Sequence, residues 1–239
     1  MENVLITICA RGGSKGIPGK NIKKLNGRPV IDYSIKHAVE FSKFYSNVDI
    51  ALSTDSPEIA NVAKSCGLKS FYKRPSYLAN DTVGKIEVLD HILKHEERNK
   101  NKSYEFLIDL DVSSPLRTTE DLKKAFDVFI NNQEALNIFS VSKPHKNPYF
   151  NVVEIKKDGF CKLVKPSESK SRQTAPLVYD MNASFYIYRK AFFDQKLTSA
   201  ITPKSLIFLM DHICFDIDEP IDFEMMEFLL SQNKLDFEI

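Results

Sequence analysis

The chain has 239 residues, of which 43% are hydrophobic and 27% charged, and its formal net charge is +1. This is the composition of an ordinary globular domain, so we expect one domain spanning residues 1–239. The nearly balanced charge excludes general electrostatic binding to nucleic acid or to a membrane surface. Any site for an anionic ligand must therefore be local.

The sequence carries no sign of a membrane segment. No apolar run approaches the roughly 20 residues of a membrane span, and no basic region precedes a long apolar core at the N-terminus. The cysteines are scattered and form no C-x-x-C pair: Cys9, Cys66, Cys161 and Cys214. We therefore expect a cytoplasmic protein with reduced thiols, without zinc, and with neither a membrane nor a nucleic-acid partner.

The first predicted strand, Val4–Cys9, opens directly into a loop over residues 10–21. That loop holds four of the chain's eight glycines and three cations: Gly12, Gly13, Gly16, Gly19, Arg11, Lys15 and Lys20. Glycines let backbone N–H groups approach a bulky anion, and the cations supply the charge that a polyphosphate needs. A buried strand followed by such a loop predicts nucleotide phosphates at the carboxyl end of a parallel sheet.

The loop differs from the two most common phosphate-binding motifs. A P-loop requires Ser or Thr after Gly-Lys and a glycine five residues before Gly19, where this chain has Asn21 and Ser14. The dinucleotide motif requires Gly-x-Gly, which does not occur here. A flexible basic surface loop is the alternative interpretation. The position directly after a buried strand favours phosphate binding.

Further along, short apolar strands alternate with amphipathic helices. Ser56 and Pro57 form a helix start, and Thr118 with Asp121 forms a variant of the capping box. Strands are predicted at 49–53, 70–72, 106–110, 137–141 and 183–188, and helices at 31–39, 57–66, 82–98, from 118 onward and at 221–230. This alternation predicts a Rossmann-like three-layer α/β/α fold with a mostly parallel sheet.

The rhythm breaks at about 145–180. Residues 147–155 suggest an extended strand, Asp158-Gly159 suggests a turn, and a polar run follows. A segment of this length without a helix is more typical of a functional or oligomer-contacting insertion than of an idle loop.

Two acidic pairs have i, i+2 spacing. If Asp216 and Asp218 continue a strand-like Ile213–Phe215, both carboxylates lie on one face and suit Mg²⁺. A helix start is the alternative, and the nearby phosphate loop favours the metal. Asp109 and Asp111 stand at the carboxyl end of a buried strand, where ligand-contacting side chains concentrate. For Asp109 a structural capping role is nearly as well supported.

The loop over residues 11–21, Arg-Gly-Gly-Ser-Lys-Gly-Ile-Pro-Gly-Lys-Asn, resembles the signature loop of the acylneuraminate cytidylyltransferases. The resemblance covers essentially the whole chain, in the family's order. It continues through 52–56, Lys73-Arg74-Pro75, 113–117, Arg172-Gln173, 182–187 and 215–218. It implies a fold of the nucleotide-diphospho-sugar transferase type and a homodimer in which the 145–180 insertion reaches across the partner.

The resemblance also implies site residues. Arg11, Lys20 and Asp218 are the expected catalytic residues, and Asp216 and Asp218 the expected ligands of Mg²⁺, for which Mn²⁺ can substitute. The expected nucleotide-binding residues are Ala10, Arg11, Gly12, Gly13, Lys20, Asn21, Arg74, Asn80 and Asp81. The expected substrate-binding residues are Asp111, Arg172, Gln173 and Asn182.

Two departures bear on the substrate. Asp111-Val112-Ser113 stands where sialate relatives commonly have Gln-Pro-Thr, and Phe150 where some have a lysine. With these residues, the motifs of this chain look closer to those of the CMP-legionaminate synthetases. The resemblance thus predicts transfer of CMP from CTP to the anomeric hydroxyl of a nonulosonic acid, such as legionaminic acid or its diacetyl form, with release of pyrophosphate. A CMP-N-acetylneuraminate synthetase is the first alternative and a CMP-Kdo synthetase the next. A non-catalytic nucleotide-binding regulator is the third alternative. The presence of Asp216 and Asp218 argues against it, because a regulator would not need metal ligands.

Overall fold

A computed structural model of the chain describes residues 2–13 and 16–239. Ser14 and Lys15 of the glycine-rich loop lie outside the described residues, as does Met1. The predicted phosphate-binding role of Lys15 therefore concerns a residue outside the described part of the chain.

The centre of the fold, within the described residues, is a six-stranded sheet with the order β10-β6-β9-β5-β1-β4. The strands are β1 Val4–Cys9, β4 Val48–Ser53, β5 Phe106–Asp111, β6 Asn137–Ser142, β9 Asp180–Arg189 and β10 Ser205–Leu209. Only β9 is antiparallel to its neighbours. Two short hairpins are separate from the sheet: β2 Lys24–Leu25 with β3 Arg28–Pro29, and β7 Val153–Ile155 with β8 Cys161–Leu163.

Helices cover both faces of the sheet, which confirms the predicted three-layer α/β/α fold. They are α1 Val30–Ser42, α2 Pro57–Ser65, α3 Lys85–Lys100, α4 Thr119–Ile130, α5 Lys190–Asp194 and α6 Pro220–Ser231. One face carries α3 and α5, whose apolar side chains pack on Leu5 and Leu107. The other four helices pack on the opposite face, against Ile6, Ile8 and Ile108. The alternation of strand side chains thus divides the core into two layers.

The predicted helix starts form as local capping structures. The Ser56 hydroxyl accepts the N–H of Ile59 at 3.3 Å, and Pro57 occupies the first helical position. Thr118 Oγ1 accepts the N–H of Asp121 at 3.0 Å, while the Asp121 carboxylate accepts the N–H of Thr118 at 2.7 Å. Such reciprocal bonds satisfy N–H groups that the helix itself leaves unpaired.

Three predicted strands are wrong. Residues 70–72 run past the edge strand β4 without forming a ladder with it. The segment is held instead by two hydrogen bonds: Ser70 Oγ donates to the carbonyl of Leu52, and the N–H of Arg74 donates to the carbonyl of Thr54. Residues 147–152 turn, since Asn147 Oδ1 accepts the N–H of Tyr149 at 2.9 Å, and only β7 remains of that strand. Residues 213–218 are irregular, and the strand β10 that precedes them was not predicted.

The 145–180 segment leaves the sheet at the end of β6 and returns at the start of β9. Both points lie at the carboxyl edge of the parallel strands, which explains why β9 is antiparallel. The predicted turn forms at Asp158-Gly159, with Gly159 at φ +85°. Large apolar side chains are exposed on the insertion: Val153, Ile155, Phe160 and Leu177. In the described part of the chain, no helix combines the length and apolar character needed to cross a membrane.

Candidate active site

A cleft of about 360 Å³ opens at the carboxyl ends of β1 and β5. It is lined by Cys9, Arg11, Gly13, Gly16, Lys20, Asn21, Arg74, Lys85, Asp111, Ser113 and Asp218. Four of these side chains are cationic, and they gather in a protein whose overall charge is nearly zero. The lining also holds Asp111 and Asp218, so cationic side chains outnumber acidic ones there, which favours an anionic ligand.

The glycine-rich loop is folded against the other walls of the cleft. The N–H of Gly12 bonds Asp55 Oδ1 at 2.9 Å, and Asn21 Nδ2 donates to the carbonyl of Arg11 at 3.0 Å. Gly16 is required by close packing, because a Cβ at this position would lie 2.2 Å from the carbonyl oxygen of Asp218. Gly19 adopts φ +67°, a conformation that favours glycine. The loop is thereby held directly beside the Asp216–Asp218 segment.

The Asp216–Asp218 segment is anchored by its central residue. Ile217 is fully buried, its N–H donates to the carbonyl of Ser113 at 2.7 Å, and its carbonyl accepts the ammonium of Lys20. Lys20 Nζ also lies 3.4 Å from Asp218 Oδ1. The two carboxylates flank a buried side chain, as the i, i+2 spacing predicts, although no strand forms. Burial raises the pKa of Asp216, and the nearby carboxylates of Asp218 and Asp111 raise it further.

The segment also begins a helix. Glu219 is the N-cap of α6, and the carboxylate of Asp222 accepts the N–H groups of Asp218 and Glu219 at 3.0 and 2.7 Å. Glu219 and Asp222 therefore cap the start of α6, and the Asp218 side chain is not needed for that role. It is 69% exposed. Among the described residues, no group of three or more His, Cys, Asp or Glu side chains is arranged as a metal site.

Asp111 lies on the cleft wall as predicted and is held by three hydrogen bonds. Its Oδ1 accepts the N–H and the hydroxyl of Ser113 at 2.8 and 2.7 Å, and its Oδ2 accepts Lys85 Nζ at 3.1 Å. Burial opposes the charged form, but Lys85 and Ser113 outweigh it and lower the pKa of Asp111 to about 2. Asp111 is therefore an ionised acceptor at neutral pH.

Lys85 was not predicted as a site residue. Its ammonium lies 3.0 Å from Asp109 Oδ2 as well as 3.1 Å from Asp111 Oδ2. Burial alone would lower the pKa of Lys85, but the two carboxylates raise it well above its usual value. The sequence does contain a signal for this residue. Lys85 begins α3, where a cation interacts unfavourably with the helix dipole, so a lysine at this position suggests an acidic partner elsewhere in the fold.

Arg117 fixes the loop that follows β5. It is fully buried and donates to the carbonyls of Asp111, Ser114 and Ser184, at 3.2, 3.1 and 3.0 Å. A further bond reaches the hydroxyl of Ser34 on α1. Burial lowers its pKa to about 10, so the guanidinium stays charged at neutral pH. Arg117 thus ties β5, β9 and α1 together beneath the cleft.

The predicted nucleotide-binding residues are only partly brought together. Arg74 is buried and pre-oriented, because Nε donates to Ser53 Oγ and a terminal nitrogen to the Ser53 carbonyl, both at 2.9 Å. Ala10 is buried, with its N–H on the same carbonyl. Asp81 forms an ion pair with Arg11. Asn80 is exposed and stabilises its own turn, accepting from Thr82 and Val83.

The predicted substrate-binding residues other than Asp111 lie outside the cleft lining. Asn182 is buried, where Oδ1 accepts the hydroxyl of Ser140 at 2.6 Å and Nδ2 donates to Ser142 Oγ at 2.8 Å. It thereby stabilises the irregular pairing of β6 and β9. Arg172 and Gln173 are exposed in a 3₁₀ turn of the insertion, and Arg172 donates to the carbonyl of His145 at 3.0 Å.

The fold has three layers, α/β/α, around a mostly parallel sheet. A cationic glycine loop and an acidic pair lie at the carboxyl edge of that sheet, and this combination is typical of nucleotidyltransferases. The comparisons name the family. The family model described as "Cytidylyltransferase" matches residues 5–238, and the chain belongs to that family. It is therefore a nucleotidyltransferase.

Relatives of known name resemble the chain over its full length. The CMP-N,N'-diacetyllegionaminic acid synthase of Campylobacter jejuni is 43% identical over 238 residues, which is 98% of each protein. The post-translational flagellin modification protein B of Campylobacter coli is 43% identical over 237 residues, again 98% of each. The solved structure of a CMP:2-keto-3-deoxy-manno-octonic acid synthetase complexed with CTP superposes with a TM-score of 0.69 at 16% identity, covering 97% of this chain and 99% of that one. That structure confirms the fold.

Proposed function

We propose that the protein transfers CMP from CTP to the anomeric hydroxyl of a nonulosonic acid, N,N'-diacetyllegionaminic acid or legionaminic acid, and releases pyrophosphate. The observation that carries the proposal is the cleft itself, in which cations from the glycine loop meet the Asp216–Asp218 segment. The 43% identity to a CMP-N,N'-diacetyllegionaminic acid synthase supports this substrate over N-acetylneuraminate or Kdo. The four free cysteines are consistent with catalysis in the reducing cytoplasm.

Arg11 and Lys20 neutralise the triphosphate in this proposal. Asp81 orients Arg11, while the Ile217 carbonyl orients Lys20. The backbone of Gly12 and Gly13 lies beside these cations at the start of the loop. Pre-oriented charge of this kind stabilises the charge that develops on the transferring phosphoryl group at little cost in reorganisation. Asn21 holds the loop closed, and Arg74 supplies a further fixed cation.

Asp216 and Asp218 are suited to hold Mg²⁺. Carboxylate oxygens are the donors this ion prefers, and it fills the rest of its shell with water and phosphate oxygens, which suits a pair of carboxylates at a phosphate site. The exposure of Asp218 to the cleft leaves its oxygens accessible. When bound, the ion supplies positive charge to the α-phosphate and acidifies the attacking hydroxyl, and Mn²⁺ can substitute.

The insertion completes the proposal as the contact of a homodimer. Its exposed apolar side chains favour burial against a second copy. Arg172 and Gln173 are exposed on the same segment, where they can reach a sugar acid bound by the partner, and the planar guanidinium of Arg172 suits its carboxylate. Asn182 supports the base of this segment.

Pyrophosphate release with CTP tests the function directly. The purified protein is assayed with Mg²⁺ and a panel of N,N'-diacetyllegionaminic, N-acetylneuraminic and Kdo acids. We expect the highest kcat/KM for the first. Lys20→Ala should lower the rate about a hundredfold, because a pre-oriented charge at a transferring phosphate contributes roughly 3 kcal/mol.

Lys24→Ala is the matched control, since Lys24 is exposed on β2, away from the cleft lining, and its loss should leave the rate unchanged. Binding of CTP without pyrophosphate release from any acid of the panel would contradict the proposal and favour a nucleotide-binding regulator.

A further inference from the structure

Three charged side chains form one group beside the cleft, the Asp109–Lys85–Asp111 cluster, of which Asp109 is fully buried. Its position follows from strand register. Thr7 of β1 is paired with Asp109 of β5, and Asp109 with Tyr186 of β9, so these three side chains share the sheet face covered by α3. Asp111 lies on the same face two residues further along, at the edge of the sheet. Lys85 enters from the first turn of α3 and reaches both carboxylates.

Asp109 serves Lys85 and has no access to the cleft. Its side chain is fully buried, where Oδ1 accepts the hydroxyl of Thr7 at 3.0 Å and Oδ2 lies 3.0 Å from Lys85 Nζ. An ionised carboxylate at such depth is costly unless it is paired, so its ion pair holds the ammonium at a fixed place. Asp109 is a positioning residue.

Lys85 and Asp111 face the cleft, with side chains 37% and 23% exposed. Lys85 donates one hydrogen bond to Asp111 Oδ2 and forms an ion pair with Asp109 Oδ2. Because an ammonium has three N–H groups, Lys85 can still donate to a ligand. Asp111 has further lone pairs beyond those used by Ser113 and Lys85. A fixed donor and a fixed acceptor thus stand side by side on one wall.

The charge of the cluster restricts what that wall can bind. Because Asp111 has its pKa lowered to about 2 and Lys85 has its pKa raised, both are charged at neutral pH. The charged carboxylate of Asp111 therefore lies directly beside the ammonium of Lys85 on the cleft wall. A phosphate or a carboxylate on this wall would meet the negative charge of Asp111. The carbonyl oxygen of a neutral acylamino group can accept from Lys85, and a hydroxyl beside that group can donate to Asp111.

We propose that the cluster recognises an acylamino group of the sugar acid and the hydroxyl beside it, with Lys85 donating to the acyl carbonyl oxygen and Asp111 accepting the hydroxyl, while Asp109 positions Lys85. This inference rests on the proposed function and assigns the specificity of that reaction to Lys85 together with Asp111. The triphosphate is left to Arg11 and Lys20, on the glycine loop.

The test compares two substrates of the same protein. One is the diacetamido sugar acid, and the other is its analogue with a hydroxyl in place of one acetamido group. Lys85→Met alone would leave Asp109 buried without its partner, so the test variant is Lys85→Met with Asp109→Asn, which removes one charge of each sign. We expect its ratio of kcat/KM between the two substrates to fall about 10- to 100-fold, with the KM for CTP unchanged.

Lys85→Arg is a second variant, which keeps the charge but alters the reach of the donor, and it should lower the ratio as well. Lys94→Met is the matched control on the same helix, since Lys94 pairs with Asp90 at the surface and should leave the ratio unchanged. A ratio that stays the same in both test variants, or a rise in the KM for CTP as the main effect, would overturn the inference. Absence of pyrophosphate release by the wild type would instead contradict the proposed function.

Discussion

Single residues of this protein are constrained by neighbours that are distant in the sequence. Gly16 is required by the carbonyl of Asp218 and not by its own backbone angles. Ile217 is buried, and the residue after it, Asp218, lines the cleft. Arg117 has no carboxylate partner among its hydrogen bonds, and carbonyl oxygens stabilise its charge instead. The shape of the cleft therefore depends in part on buried residues, such as Ile217 and Arg117, that do not line it.

Gly16→Ala should impair catalysis more than folding. Its Cβ would lie 2.2 Å from the Asp218 carbonyl oxygen, so either the glycine loop or the acidic segment must shift. A displacement of about 1 Å in a phosphoryl-transfer site costs on the order of a hundredfold in kcat. Pyrophosphate release and thermal unfolding measure the two effects. In the control Gly84→Ala, the new Cβ meets nothing within 4 Å and both properties should persist; equal losses in the two variants would refute this explanation.

Asp218→Asn should weaken the response to Mg²⁺ more than Asp216→Asn does. Asp218 is more exposed to the cleft and lies beside Lys20, so its carboxylate is better placed for direct coordination. We expect a loss of about a hundredfold at saturating Mg²⁺, partly recovered with Mn²⁺. Asp211→Asn, at an exposed turn, is the control. Full activity of the wild type in excess EDTA would contradict the assignment of Asp216 and Asp218 as metal ligands.

At the scale of elements, local signals decide where helices begin and long-range contacts decide what strands do. The capping bonds of α2 and α4 form between residues three apart. A long-range contact also reaches α4, because His212 joins this helix to the C-terminal region. Its Nε2 lies 2.9 Å from Asp121 Oδ2, and its ring packs on Phe237 with centroids 3.9 Å apart. The cap of one helix therefore also fixes the end of the chain.

The contact between His212 and Asp121 should make stability depend on pH. Burial by itself would lower the pKa of His212, but the hydrogen bond to Asp121 outweighs it and the pKa is raised. A raised pKa means that folding favours the protonated form. Its contribution is therefore complete below the ordinary value of 6.5 and is lost as the pH rises through the raised pKa.

His212→Gln, which keeps a donor but cannot titrate, should remove about 1 kcal/mol of the change in the free energy of unfolding between pH 6 and pH 9. Urea unfolding at both pH values measures it. His145→Gln, at the exposed start of the insertion, is the control and should follow the wild type. An unaltered pH dependence in His212→Gln would show that this contact does not titrate with folding.

At the scale of the whole molecule, one edge of the sheet carries almost every residue that the proposed function uses. The glycine loop, the Asp109–Lys85–Asp111 cluster and the root of the insertion all lie at the carboxyl ends of the parallel strands. The insertion extends from this edge with exposed apolar side chains, of which Ile155 and Phe160 are 82% and 71% exposed. A surface of this kind favours association with a second copy.

Ile155→Asp with Phe160→Asp should convert a dimer into a monomer. Two charges at the centre of an apolar contact are costly to bury, and each lost apolar side chain contributes roughly 1.5–3 kcal/mol. Light scattering coupled to gel filtration measures the mass. Val128→Asp is the control, because Val128 is also half-exposed but lies on α4. A wild-type protein that elutes as a monomer at micromolar concentration would contradict the proposed dimer.

The sequence by itself determined the features that depend on short stretches of chain. The alternation of apolar strands and helices predicted the three-layer fold, the run of glycines and cations located a loop that lines the cleft, and the capping pairs located α2 and α4. These predictions held because turns, caps and periodic faces are set by residues within about four positions of one another. Asp111 was found for the same reason, since it directly follows a buried run.

The tertiary structure decided which side chains meet. Lys85 reaches Asp111 across 26 residues, and Thr7 reaches Asp109 across 102. Asn182, predicted to face the substrate, is buried on β9 against Ser140 and Ser142 of β6, and β9 itself runs antiparallel to its neighbours. Such neighbours follow from the register between distant strands and from the helices packed over them. A linear pattern fixes which face a residue occupies, but it does not fix the residue that lies opposite.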